Sequence, residues 1–368
     1  MSRVLDTFLD LVRIDSPTGR ESGVAAYMVR ALEAAGCEVR VDDTREVTGA
    51  DTGNVIARIP GTVSGAVVAL SAHMDCVQPC EGVEPVVADG MVRSAGETVL
   101  GSDDKAGLAA IVELAQRLRE SGAPHAEVRF LVTVSEETGL LGAKALSAGD
   151  CASDVCLVLD GDGSVGGIVT AAPTHYTFNA TFTGRASHAG VEPEKGVSAI
   201  AMAADAIGRM ELGRLDDRTT ANIGTIAGGR ATNIVAPTCV LTGECRSRDA
   251  DRVEAVRGAM DAAMRGAATD AGGTVDVTWT LEYRGFSVAE DSVALALVEA
   301  ACHDIGITPR RFATGGGSDA NVISVHGVPT FVLSSGMTSV HSVDERIAVA
   351  DLEALADLLE AVVGRAAE

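Results

Sequence analysis

The sequence predicts an α/β protein: a mixed sheet flanked by helices forms the main domain, and a ferredoxin-like α+β domain is inserted into it. Short apolar segments alternate with helical periods at both ends of the chain. Between them, polar-alternating strands and two helices replace that pattern. We therefore expect a discontinuous main domain at 1–173 and 286–368, and an insert at 174–285.

Hydrophobic periodicity places the elements of the main domain. Pro17 separates the first two predicted helices, and Gly36 ends the second. Buried strands and helices then alternate, which is typical of an α/β layer. The predicted helices are 4–12, 21–35, 105–120, 140–146 and 293–302, and the predicted strands are 38–41, 54–59, 66–72, 127–134, 155–159 and 329–333.

The order of elements in the insert is β-α-β-β-α-β, which is typical of ferredoxin-like domains. Alternation of polar and apolar residues predicts the four strands, and two Ala-rich periodic segments predict the helices. The strands are 176–183, 222–226, 239–246 and 274–281, and the helices are 198–210 and 251–265.

Composition excludes several classes of partner. Among 368 residues, 52 are acidic and 29 are Lys or Arg, and the net charge of −23 argues against nucleic acid. The chain has no apolar stretch of the ~20 residues that a membrane span needs and no basic leader, so we expect a cytoplasmic protein without a membrane partner. Eight cysteines in such a chain are expected to be reduced and buried.

Polar side chains follow four of the predicted strands, where open α/β sheets place their ligand crevice. A further acidic run directly precedes the predicted helix 105–120. Each residue alone is common at a strand end or a helix start, so the hypothesis depends on their joint position. The candidates are His73, Asp75, the adjacent pair Asp103 and Asp104, Glu136, Glu137, Asp160 and His341.

The chemistry of these residues indicates a metal site. His73 and Asp75 share one face of an extended segment, so His73 is a candidate ligand and Asp75 can orient its ring. The adjacent Glu136 and Glu137 point in different directions and can divide the roles of base and ligand. Histidine and carboxylate ligands without thiolate suit zinc, cobalt or manganese, and a shared carboxylate can hold two ions together.

In its motifs the chain resembles the zinc aminopeptidase/carboxypeptidase superfamily that includes peptidase T, aminoacylase and succinyl-diaminopimelate desuccinylase. The resemblance covers nearly the whole chain, and two runs, 103–107 and 315–321, look closest to peptidase T-like proteins. The matching segments are Ser71-Ala72-His73-Met74-Asp75, Gly101-Ser102-Asp103-Asp104-Lys105-Ala106-Gly107, Ser135-Glu136-Glu137-Thr138-Gly139, Leu159-Asp160-Gly161, Ala186-Ser187-His188-Ala189-Gly190 and His341.

The resemblance implies two divalent metal ions per chain, with zinc expected and cobalt or manganese as alternatives. His73, Asp103 and Asp160 would hold one ion. Asp103, Glu137 and His341 would hold the other, so Asp103 would bridge the two. Glu136 would be the general base.

The resemblance also implies roles for the insert, as a lid and as the contact of a homodimer. His188 would polarise the scissile carbonyl in the neighbouring subunit, with a solvated loop histidine as the alternative. Arg246 suits the bidentate capture of a substrate carboxylate, with an ordinary surface arginine as the alternative. The implied substrate-binding residues are Asn233, Arg246, Gly316 and Asp319.

The implied activity is hydrolysis of an amide bond in a small peptide, of the tripeptide aminopeptidase type. One departure concerns the substrate: peptidase T has an arginine where this chain has Gly315. A carboxypeptidase, a dipeptidase and an N-acyl amino acid deacylase on the same scaffold are therefore alternatives. A non-catalytic metal- or peptide-binding protein is the alternative of another class.

Overall fold

The computed structural model describes residues 2–367, and the chain packs into two units. The main unit comprises Met1–Ala171, Val288–Ala313 and Ser318–Glu368, and the insert comprises Ala172–Ser287 and Thr314–Gly317. The expected insert, 174–285, differs from this by two residues at each end and lacks the second segment. The terminal residues 1 and 368 of the expected main domain lie outside the described residues.

Eleven α-helices occur within residues 2–367, with two short 3₁₀ turns at Pro193–Lys195 and Ser324–His326. They are α1 (Arg3–Val12), α2 (Ser22–Ala34), α3 (Arg45–Thr48), α4 (Ser102–Ser121), α5 (Leu141–Ala145), α6 (Ala148–Cys151), α7 (Ala199–Gly208), α8 (Ala250–Asp270), α9 (Val293–Asp304), α10 (Asp319–Ile323) and α11 (Val349–Ala366).

The same residues form seventeen β-strands, which belong to the sheets described next. They are β1 (Glu38–Val41), β2 (Val55–Ile59), β3 (Val68–His73), β4 (Pro85–Ala88), β5 (Met91–Ser94), β6 (Val128–Thr133), β7 (Val155–Asp162), β8 (Gly167–Ala172), β9 (Thr174–Thr183), β10 (Gly213–Asp216), β11 (Thr219–Gly228), β12 (Thr238–Ser247), β13 (Thr274–Tyr283), β14 (Phe286–Ser287), β15 (Arg310–Ala313), β16 (Thr330–Thr338) and β17 (Arg346–Ala348).

The sheet of the main unit has the strand order β1-β2-β6-β3-β7-β16-β17-β5-β4. Its four central strands, β6, β3, β7 and β16, are parallel to one another. Antiparallel strands flank them on both sides. The α/β fold with a mixed sheet, expected from the sequence, is confirmed.

Burial on both faces explains the apolar central strands. All six residues of β3 are buried, as in other parallel sheets that helices cover. Helix α4 is also buried for most of its length, and it packs against β3, α1 and α11. Gly107 makes this close packing possible, because a Cβ atom there would lie 2.8 Å from Leu159 and 3.1 Å from Ala72. The first turn of α4 is thereby held against β3 and β7.

The insert has its own antiparallel sheet, in the order β10-β11-β12-β9-β13, and its own hydrophobic core. Helices α7 and α8 pack on this sheet, and Phe178, Phe182, Met202, Leu241 and Met264 are among the buried residues. Without the short edge strand β10, the order of elements is the predicted β-α-β-β-α-β.

Several boundaries and elements differ from the prediction. Helix α4 begins three residues earlier than expected, and β16 continues five residues past 333 through a Ser/Gly segment of weak β propensity, which pairing with β7 and β17 stabilises. Strands β4, β5, β8 and β17 and helix α11 were not predicted. The short strands carry too few residues for a periodic signal, whereas α11 does show helical apolar spacing.

Two expectations from composition concern the whole chain. All eight cysteines are free and buried, as predicted. Within the described residues, the search for a helix of sufficient length and apolarity to span a membrane found none.

Candidate active site

The predicted ligands meet at one edge of the sheet because their strands are parallel neighbours. Strand β3 ends at His73, and β7 carries Asp160 near its end. Strand β6 runs into the segment with Glu136 and Glu137, and β16 leads to His341. Since the order of these strands is β6-β3-β7-β16, their carboxyl ends bring these side chains, including both glutamates, to one crevice.

Asp103 lies between the two histidines. It lies two residues after Gly101, which has φ +75°. The backbone of Asp103 itself is not yet helical at the start of α4. Its Oδ1 atom lies 3.0 Å from Nε2 of His73, and its Oδ2 atom lies 3.1 Å from Nε2 of His341. Each oxygen of the carboxylate thus faces a different histidine.

The two remaining carboxylates each accompany one histidine. Oε1 of Glu137 lies 3.0 Å from Nε2 of His341, and Oδ1 of Asp160 lies 3.8 Å from Nε2 of His73. Two triads that share Asp103 result. One consists of His73, Asp103 and Asp160, and the other of Asp103, Glu137 and His341. Each triad contains the residues that the resemblance assigned to one metal ion, and their role as ligands stays a prediction.

The chemistry of the donors fits divalent cations. Ligand atoms of His73, Asp103 and Glu137 all lie within 4.8 Å of one another. Hydrogen bonds to Asp103 and Glu137 raise the pKa of His341 to about 10. Burial and the neighbouring carboxylates raise the pKa of Asp160 well above its usual range. The crevice thus concentrates negative charge and favours positive charge, which suits metal ions held by imidazole and carboxylate.

Asp75 supports both sides of the site. Its carboxylate accepts hydrogen bonds from the backbone N–H of Glu136 at 2.9 Å and of Glu137 at 3.2 Å. Nδ1 of His73 lies 3.0 Å from the backbone oxygen of Asp75 and 3.4 Å from its Oδ1. Asp75 therefore contacts the His73 ring and also holds the backbone of the two glutamates, a contact that the sequence did not predict.

Glu136 is buried, with 8% of its surface exposed. Burial raises the pKa of its carboxyl well above the usual range, and the nearby carboxylates act in the same direction, whereas His73 opposes them. A carboxylate of raised basicity beside candidate metal ligands is suited to accept a proton.

A buried carboxylate that sequence analysis missed supports the backbone before Glu136. Oε1 of Glu21 accepts hydrogen bonds from the N–H and the hydroxyl of Ser135, at 3.0 and 3.1 Å. Ser135 has φ +52°, a left-handed conformation that a serine needs such partners to hold. Thr18 also donates to Asp75, at 2.7 Å. No motif marks Glu21 or Thr18, because their partners are far away in sequence.

The insert carries three of the predicted polar residues. His188 and Asn233 are exposed on adjacent segments, joined by the hydrogen bond from the N–H of Ala189 to the oxygen of Asn233 at 2.9 Å. Arg246 lies on β12 and donates to both carboxylate oxygens of Glu244, at 3.2 and 2.9 Å. Its third contact is the hydroxyl of Tyr283, at 3.3 Å.

The remaining two candidates lie in the loop before α10 and at its start. Gly316 belongs to the insert, where its N–H donates to the hydroxyl of Thr314 at 3.1 Å. Asp319 belongs to the main unit, is 2% exposed and accepts a hydrogen bond from the hydroxyl of Thr133 at 2.5 Å. Burial raises the pKa of Asp319 to about 6. Its buried position favours support of the β6 strand end over direct contact with a substrate.

The chain matches the peptidase family M20/M25/M40 over residues 69–365. It belongs to this family. The matched stretch includes every predicted metal ligand and Glu136, so the family that the motifs indicated is confirmed, and with it an enzyme of the hydrolase class.

Known structures of the family share the fold over the whole length. The crystal structure of aminopeptidase PepT from Bacillus cereus ATCC 10987 is 42% identical with a TM-score of 0.94, and covers 100% of this chain and 98% of its own. That of a tripeptidase from Staphylococcus aureus subsp. aureus Mu50 is 37% identical with a TM-score of 0.96, covering 99% and 98%. Protein YqjE of Bacillus subtilis strain 168 is 41% identical over 366 residues, which are 100% of this chain and 99% of YqjE.

Proposed function

We propose that this M20 peptidase hydrolyses an amide bond in small peptides, as an aminopeptidase that acts on tripeptides. The observation that carries the proposal is Asp103, whose two oxygens face two histidines within a carboxylate-rich crevice beside Glu136. Similarity to an aminopeptidase and a tripeptidase over the full chain supports the substrate class.

Two zinc ions are the proposed cofactors. His73, Asp103 and Asp160 would hold one, and Asp103, Glu137 and His341 would hold the other. When bound, such ions lower the pKa of a coordinated water toward neutrality and polarise a carbonyl oxygen. The absence of a thiolate among the donors also admits cobalt or manganese.

Glu136 moves the proton in the proposed reaction. Its carboxylate accepts a proton from the water that attacks the amide carbon, and then gives that proton to the leaving nitrogen. Asp75 keeps the backbone of Glu136 in place through the N–H hydrogen bond of 2.9 Å. Burial protects the transferred proton from exchange with solvent.

The insert would bind the substrate. In this proposal His188 would donate to the oxygen of the scissile carbonyl, and Arg246 would hold a carboxylate. Asn233 and Gly316 would contact the peptide backbone. We propose that the insert closes over the substrate and forms a homodimer, in which His188 serves the neighbouring subunit. Eight free, buried cysteines support a reducing compartment, the cytoplasm.

The preference for tripeptides needs a separate test, since Gly315 stands where peptidase T has an arginine. Zinc-loaded protein should be assayed with matched tripeptides, dipeptides, N-acetyl amino acids and N-blocked tripeptides. We expect fastest cleavage of tripeptides with a free amino terminus, with release of the first residue. Preference for N-blocked peptides would favour a carboxypeptidase, and preference for acylated amino acids would favour a deacylase.

A further inference from the structure

Glu345 is a buried carboxylate outside both predicted ligand sets. It follows His341 by four residues, in the segment between β16 and β17. Only 2% of its surface is exposed, whereas its neighbours Asp344 and Arg346 are exposed. An acidic side chain rarely becomes fully buried without partners that require it.

The partners of Glu345 are three donors in the turn that carries Asp103. Oε2 accepts a hydrogen bond from the N–H of Gly101 at 2.8 Å. Oε1 accepts two more, from the hydroxyl of Ser102 at 2.6 Å and from the N–H of Asp103 at 3.0 Å. Both oxygens are thus occupied as acceptors, and they bind the start of α4, where backbone N–H groups have no helical partner.

The same segment also carries His341 in a constrained conformation. Ser339 and His341 have φ values of +57° and +61°, which non-glycine residues seldom adopt. The imidazole of His341 is the most exposed of the candidate ligands, at 52%. Contacts within the segment are short-range, such as the hydrogen bond from the Ser342 hydroxyl to the oxygen of Ser339 at 2.7 Å. Glu345 is therefore an anchor of this segment to the Asp103 turn.

We infer that Glu345 is a positioning residue for the second metal, the ion proposed to be held by Asp103, Glu137 and His341. Glu345 ties the segment that carries His341 to the turn that carries Asp103. It is not one of the proposed ligands, because both of its oxygens accept hydrogen bonds from residues 101–103. The inference rests on the two-metal assignment proposed above. Residues that orient metal ligands from behind typically contribute 10–100-fold to metal affinity.

The sharpest variant is Glu345→Gln, which keeps the size of the side chain. Glutamine offers one acceptor oxygen, so in either orientation its NH₂ group faces a backbone N–H, of Gly101 or of Asp103. Glu345→Ala removes all three hydrogen bonds. The neighbouring Asp344→Asn is the matched control. His341→Ala removes a proposed ligand of the second metal only, so it shows the zinc affinity that remains when that site alone is lost.

The test is a titration of metal-free protein with Zn²⁺ against a chromophoric chelator, together with thermal melting of the metal-free forms. We expect the wild-type chain to bind two zinc ions. In Glu345→Gln, the affinity for one of them should fall by about 10–100-fold. The other zinc ion should bind with the same affinity as the single zinc ion that remains in His341→Ala. Asp344→Asn should bind both ions with wild-type affinity. The melting temperature of metal-free Glu345→Gln should stay near that of metal-free wild type.

Two results would overturn the inference. One is wild-type affinity at both sites in Glu345→Gln and Glu345→Ala. The other is equal weakening of both sites together with a lower melting temperature of the metal-free protein, which would indicate a general structural role. If instead the wild-type chain binds fewer than two zinc ions, the two-metal assignment fails before Glu345 is tested.

Discussion

The Oδ2 atom of Asp103 lies 3.1 Å from Nε2 of His341, while the other oxygen of the same carboxylate faces His73 at 3.0 Å. One side chain therefore lies between two groups of proposed ligands, His73 with Asp160 and Glu137 with His341. A carboxylate shared in this way is the usual means of holding two metal ions about 3.5–4 Å apart. This arrangement predicts that both proposed metal sites depend on Asp103.

Replacement of Asp103 by alanine should remove both metals. Each triad loses one of its three ligands, so we expect bound zinc to fall from about two to well below one per chain, with activity lost. Metal content after dialysis, measured by plasma mass spectrometry, checks this. The exposed Asp43→Ala is the control. Retention of one full zinc per chain would show that the two sites are independent.

Loss of His188 should lower kcat while metal content stays unchanged, because an oxyanion donor contributes about 10²–10³-fold. If His188 serves the neighbouring subunit, a mixture of His188→Ala and Glu136→Gln chains, unfolded and refolded together, should regain about a quarter of wild-type activity, since half of randomly formed dimers are hybrids with one complete site. No recovery in hybrids confirmed by mass spectrometry would place His188 in its own subunit or outside the reaction.

Substitution of Arg246 by lysine should raise KM for peptides with a free terminal carboxylate by about tenfold or more, because the fork of N–H donors is lost. Peptides with an amidated terminus should be affected much less. Steady-state kinetics with matched acid and amide substrates measure the difference. An equal rise in KM for both substrates would mean that Arg246 supports the strand through Glu244 and does not bind the carboxylate.

The insert should lose stability in acid through Glu244. Hydrogen bonds from His175 and Arg246 lower the pKa of Glu244 to about 2, from an ordinary 4.5, although burial opposes the shift. A depressed folded-state pKa gives stability that is present above pH 4.5 and is lost as the pH falls toward 2. Allowing for partial exposure, Glu244 should contribute about 1–2 kcal/mol at pH 7.

Glu244→Gln should therefore unfold more easily than wild type at pH 7, and the difference should shrink as the pH falls below 4.5. Urea unfolding of the metal-free protein, followed by circular dichroism at pH 7 and pH 3, measures it. The exposed Glu194→Gln in the same insert controls for loss of charge alone. A difference that is constant with pH would show that ionisation of Glu244 is not the source of the stability.

Much of the site was predictable because the ligands stand at strand ends. His73, Glu137 and Asp160 follow apolar segments whose buried, parallel character the sequence shows, and parallel strands bring their ends to one edge. The position before a helical period marked the acidic pair Asp103 and Asp104, and the resemblance to the family singled out Asp103. The distances between these side chains, and the division of the Asp103 oxygens between two histidines, needed the structure.

The supporting residues could not be predicted in the same way. Glu21 and Glu345 stand in ordinary polar segments, and their roles come from contacts with residues more than a hundred positions away. Asp319 was expected among substrate contacts, but its burial beneath Thr133 became visible only in the folded chain. Long-range hydrogen bonding leaves no periodic pattern in a single sequence.

The role of Glu136 as general base is tested by comparing wild type with Glu136→Gln, with kcat/KM on a tripeptide and bound zinc measured in the same preparations. We expect a loss of activity of about 10²–10⁴-fold or more, because the proton acceptor is gone, with about two zinc ions retained per chain. Activity near the wild-type level with both zinc ions bound would contradict this role, since Glu136 could then not be the general base.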